Sequence, residues 1–191
     1  MMRRLGTRPA RLLPHALPAV VAIAALTACG GSGGSASGGG SASAQQQAES
    51  QTLQASRTLV QRLGTDKLVS SKGIIGSYDK CGTGTTHVQY IANQPLEPLD
   101  PSLTQAQLST QLVAEMSGLG WKLTQQPKPA TDTVFYKLAE NELTGELYVN
   151  DSGLGLNADL FVNSACFDAG SGAAGLLKVQ GTYPAPAPSS T

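Results

Sequence analysis

An alternation near the C-terminal end constrains this chain more than any other feature. Between Leu143 and Asn163 the aliphatic residues Leu147, Val149, Leu156, Leu160 and Val162 fall on alternate positions. Tyr148, Asn157, Asp159, Phe161 and Asn163 fall between them. Side chains two apart on a strand share a face. The segment therefore reads as two strands with one aliphatic face and one face of rings, amides and a carboxylate. Asp151-Ser152-Gly153 interrupts the pattern as a hairpin turn. Phe135 and Lys137, on an expected strand over Thr133–Leu138, join the mixed face if their register matches.

The other elements are read in the same way. Thr52, Ala55, Leu59 and Leu63 recur at helical spacing with Leu53 and Val60, so residues 45–63 are expected to form a helix ended by Gly64. Strands are expected at Ile74–Cys81 and over 85–92, joined by Gly82-Thr83-Gly84. Pro95, Pro98 and Pro101 mark a loop. Thr104 with Gln107 forms a capping box for a second helix, whose stripe is Leu108, Leu112, Met116 and Leu119. Strands Trp121–Gln125, Thr133–Leu138, Leu143–Asn150 and Leu154–Cys166 follow. The expected class is α+β, a mainly antiparallel sheet with two helices in the order α-β-β-α-β-β-β-β.

The first 28 residues differ from the rest. Arg3, Arg4, Arg8 and Arg11 precede a short apolar run from Ala16 to Ala25 that is too brief to span a bilayer. The run ends in Leu26-Thr27-Ala28-Cys29-Gly30, which resembles the lipobox of bacterial lipoproteins. The resemblance covers residues 1–30 alone. It implies cleavage before Cys29, lipid on the Cys29 thiol (a diacylglyceryl thioether, with acyl chains such as palmitate), and a membrane partner on the extracytoplasmic face. Two or more acyl chains hold firmly where one is marginal. Arg3-Arg4 leaves the export route, general secretory or twin-arginine, open.

The division of the chain follows. Residues 1–28 are expected to be a signal peptide, and 29–44 the lipidated cysteine and a flexible Gly/Ser/Ala linker. Residues 45–183 are one α+β domain, and 184–191 are a disordered Pro/Ala/Ser/Thr tail. With the four leader arginines removed, nine of the 13 Lys+Arg residues face 13 Asp+Glu. No basic run of the kind that binds nucleic acid is present. Cys81 and Cys166 are then the only remaining pair, in an oxidising compartment, and are expected to bond. That bond would close a loop of about 86 residues, worth about 4–5 kcal/mol in the chain-entropy view.

Motifs for chemistry are sparse. His87 is the only histidine after the leader, and no Gly-x-Ser-x-Gly elbow exists. Gly153 to Ala158 matches Gly-x-Gly-x-x-Ala, but strand-like sequence follows where a phosphate-binding helix is required. No cofactor, metal site or catalytic residue is expected. Glu140, Glu142 and Glu146 leave open an envelope hydrolase working with carboxylates. A structural or assembly lipoprotein is the third reading. The preferred one is a tethered, non-enzymatic module that binds an envelope protein or a small ligand, with Phe135, Tyr148, Asn157, Asp159, Phe161 and Asn163 as the candidate face.

Overall fold

The computed structural model describes residues 39–153 and 155–187. The expected leader, Cys29, residues 30–38 of the expected linker and residues 188–191 of the expected tail lie outside the described residues.

The elements run α1 (Gly39–Thr65), β1 (Val69–Ser71), β2 (Ile74–Lys80), β3 (His87–Pro98), α2 (Gln105–Gly118), β4 (Lys122–Pro129), β5 (Thr133–Glu140), β6 (Leu143–Ser152), β7 (Gly155–Asn163), β8 (Phe167–Asp168), α3 (Ala173–Leu176) and β9 (Gln180–Tyr183). The strands make one antiparallel sheet in the order β4-β5-β6-β7-β3-β2-β9, with β1 and β8 added to β3. The mainly antiparallel class holds, but the order is richer than the sequence reading. Strands β1, β8 and β9 and a third helix, α3, are added. Each is four residues or shorter. Such pieces carry too little periodicity to stand out and are held by their neighbours.

Alternation decides which side the helices cover. Leu138 on β5, Leu147 and Val149 on β6, and Ala158, Leu160 and Val162 on β7 are buried, together with Leu59 and Leu63 of α1 and Leu108, Leu112 and Met116 of α2. A second apolar cluster joins Ala48 and Leu53 of α1 to Ile74, Tyr78, Val88, Tyr90 and Ala92, and to Ala173 of α3. All three helices thus supply residues to the face that carries these side chains. The opposite face is lined by half-buried polar and aromatic residues.

The capping box forms as read. The Thr104 hydroxyl accepts from the Gln107 N–H at 3.3 Å, and the Gln107 side-chain carbonyl accepts from the Thr104 N–H at 2.9 Å. Three boundaries differ. α1 starts at Gly39, inside the stretch expected to be linker, because a docked helix extends into Ala and Ser without a new nucleation cost. β3 runs on through Pro95 and Pro98. Proline tolerates an extended backbone, and the buried Leu96 between them pairs with both Ser71 and Ala158. β6 and β7 pair as far as Ser152 with Gly155, so Asp151 and Ser152 are strand residues and the turn is tighter than expected. In the tail, Ala185 packs against the larger cluster.

Helix α1 is also fastened by polar contacts. The Glu49 carboxylate accepts from the Tyr183 hydroxyl at 2.9 Å and from the Tyr78 hydroxyl at 3.2 Å. Tyr90 donates to Tyr183 at 3.3 Å, and Arg57 lies 5.9 Å from the Tyr183 ring centre. Burial pushes the Tyr78 phenol up to about 12 and the Tyr90 phenol still further, so both stay protonated donors. Gly76 makes room for this cluster. A Cβ there would overlap the Tyr90 ring and stand 3.0 Å from Tyr183 Cε2.

Cys81 and Cys166 are bonded, with Cα atoms 5.9 Å apart and a sequence separation of 85. The bond ties the end of β2 to the segment entering β8. Two outcomes follow. Cys81→Ser is expected to lower unfolding free energy in urea by up to about 4–5 kcal/mol; an unchanged midpoint with an unchanged slope would mean the cross-link restricts nothing in the unfolded chain. Gly76→Ala is expected to cost about 1–3 kcal/mol in the same melts through overpacking at Tyr90.

Candidate ligand-binding face

The side of the sheet away from the helices is organised in cross-strand rows. Phe135 pairs with Tyr148, and Tyr148 with Asp159. In the next row Lys137, Glu146, Phe161 and Asn93 follow one another across β5, β6, β7 and β3. In the row beyond, Thr144, Asn163 and Ile91 are neighbours. The register places Phe135, Tyr148, Asn157, Asp159, Phe161 and Asn163 on one face, with Lys137.

The rings form a short file. Phe135 and Tyr148 lie 4.8 Å apart between centres and tilted at 37°. Tyr148 and Phe161 lie 5.7 Å apart and nearly perpendicular, at 83°. Edge-to-face contact of this kind satisfies part of each ring's surface and leaves the remainder to solvent.

Beside the file lies an open depression of about 490 Å³, lined by Asp79, Gln89, Ile91, Glu146, Tyr148, Asn150, Asp159, Phe161 and Asn163. Four of the six residues named from the sequence line it. Phe135 and Asn157 sit at its margin, Phe135 against Tyr148 and Asn157 accepting from the Asn150 amide at 3.0 Å. Asp79, Gln89 and Ile91 were not singled out from the sequence. They arrive on β2 and β3, and only the long-range pairing of β3 with β7 brings them to the rings. Local alternation could have placed Gln89 and Ile91 on one face together, but not that face beside β7.

The polar groups are unequally satisfied. Asn150 accepts from the Thr133 hydroxyl at 2.9 Å and donates to Asn157 and, at 3.4 Å, to the Asp159 carboxylate. Glu146 accepts from the Tyr148 hydroxyl at 3.2 Å and faces the Lys137 ammonium at 3.6 Å. Burial raises the Asp159 carboxyl above the ordinary aspartate range. Burial, and then the Glu146 charge, raise the Tyr148 phenol. Asn163 is 7% exposed, and its side-chain oxygen meets no donor among the described residues. The buried side-chain oxygen of Asn93, across from Phe161, is in the same condition.

The three glutamates that suggested carboxylate chemistry are separated. Glu140 and Glu142 line a groove of about 620 Å³ between α1 and the β5–β6 turn, with Gln51, Gln54, Thr58 and the buried Trp121. Glu146 stands on the opposite face beside Lys137. Among the described residues no group of three or more His, Cys, Asp and Glu side chains is arranged to hold a metal ion.

No family model matches this chain, and it has no significant match among curated proteins or solved structures.

Truncation separates the two faces. Leu160, fully buried beneath the helices, should cost about 2–5 kcal/mol on change to alanine. Tyr148→Ala and Phe161→Ala, at half-buried positions, should each cost clearly less. Chemical melts of the three variants make the comparison; equal losses would show that the rings act as core.

Proposed function

We propose that this chain is a lipid-anchored lipoprotein on the extracytoplasmic face of a bacterial membrane, and that its domain is a non-enzymatic binding module. The address rests on Leu26-Thr27-Ala28-Cys29. A disulfide suits a compartment outside the cytoplasm. Among the described residues no helix is long and apolar enough to cross a membrane, so within them no second anchor of that kind competes with lipid on Cys29.

One observation carries the binding reading. The helices cover one side of the sheet, and the uncovered side gathers Phe135, Tyr148 and Phe161 beside amides and carboxylates around a depression. Half-buried rings next to convergent polar groups are the usual composition of a ligand site. A hydrolase that pairs Glu146 with Glu140 or Glu142 is disfavoured, because Glu146 lies on the other side of the sheet.

Two measurements test the proposal. Intact mass of the membrane-purified chain should show a lipid adduct on Cys29, and Cys29→Ala should release the protein to the soluble fraction. For the module, a small-fragment set titrated into the purified chain should shift the aromatic resonances of Tyr148 and Phe161. Phe161→Ala should weaken the best binder by about 1–2 kcal/mol. Saturable binding confined to the groove beside Glu140 and Glu142 would overturn the assignment of the face.

A further inference from the structure

Taking the open face as the binding site, we propose that its ligand is an organic cation, an ammonium or guanidinium group held against Tyr148 and Phe161 by Asp159, Asp79 and Glu146. This rests on the binding reading above and adds the chemical class of the ligand.

The charged residues that line the depression all carry the same sign. Three carboxylates line it, and no lysine or arginine does. Lys137, beside the depression, stands 3.6 Å from Glu146 in a half-exposed pair, a contact of small net worth. Asp159 is the least compensated of the three, with one amide contact at 3.4 Å. An anion would be repelled here, whereas a ligand bringing positive charge would neutralise a desolvated carboxylate.

A second observation is independent of charge. Asn163 is more than nine-tenths buried and lines the depression, and its buried side-chain oxygen has no donor among the described residues. A buried acceptor left unpaired is costly. Ammonium offers three donors and guanidinium five, and neither has an acceptor to satisfy.

Ring geometry supplies the third element. Tyr148 and Phe161 meet at 83°, which makes a corner of one face and one edge. A cation within about 6 Å of a ring centre is attracted to the face. The volume, about 490 Å³, admits a small amine or a single basic side chain. A metal ion is a poor fit, since the acidic groups do not converge on one centre.

The test uses the purified full chain and follows the Tyr148 and Phe161 rings and the Asn163 amide by NMR. The probes are tetramethylammonium, n-butylammonium and guanidinium chlorides, with neopentyl alcohol as the uncharged counterpart and butyrate as the anion. At least one cation should saturate these signals, and the alcohol and the anion should not. Asp159→Asn, close in shape, should weaken the cation by about tenfold or more while near-UV circular dichroism stays unchanged. N-acetyl-lysine amide run beside butylammonium separates the sources: tighter binding of the former indicates a protein side chain, and equal binding a free amine. Saturation by the alcohol and not by the cations would overturn the cation assignment and leave the binding face standing. Cation binding unaffected by Asp159→Asn would overturn the assignment as well. Shifts confined to residues around Glu140 and Glu142 would remove both readings.

Discussion

The burial of alternate residues along β3 is the constraint on which the rest of the structure depends. Val88, Tyr90, Ala92, Gln94 and Leu96 are all at or near complete burial. The strand pairs with β1 and β2 on one side and with β7 and β8 on the other. A central strand so flanked cannot slip by one residue without exposing that whole row. The register fixed by β3 carries through β7 to β6 and β5. This is why the helices gather on one side and the rings of β5, β6 and β7 remain on the other.

The part of the fold legible in the sequence is the part governed by neighbours in sequence. Leu147, Val149, Leu156, Leu160 and Val162 announced a buried face, and the structure buries all of them but Leu156, which is half-buried. Thr104 and Gln107 announced a helix start, because a capping box is a contact across three residues. The bond between Cys81 and Cys166 was expected from parity and the expected compartment, with no need of geometry, and it is present. Pro95 and Pro98 misled, because a proline's local preference weighs less than burial of Leu96 between two partner strands. The beginning of α1 misled for the opposite reason. Gly, Ser and Ala are weak signals taken alone, but they continue a helix already docked downstream.

The candidate face divides in the same way. Its β6 and β7 residues were visible from a hairpin. The Phe135 register needed only the adjacent strand, and it held. Asp79, Gln89 and Ile91 belong to β2 and β3, some 70 residues earlier by position number, and joined the site through a pairing that no local pattern encodes. The unmatched oxygens of Asn93 and Asn163 are of this kind too. Whether an amide is satisfied depends on what tertiary structure brings opposite it, so the composition of a strand cannot announce it.

The contact between Glu49 and Tyr183 has a mechanical consequence. It joins residues 134 apart, one in the N-terminal half of α1, about three turns in, and the other on the last described strand. The first described helix is therefore fastened to the last described strand at the sheet's edge. A pull that reaches the domain through residues preceding α1 is shared at this contact with β9, and β9 passes it laterally into β2. The helix cannot be drawn off its bed at this end without breaking its hold on Tyr183 and Tyr78. A four-residue edge strand thereby works as an anchor plate, and the sheet face carrying the rings lies beyond the path along which the load travels.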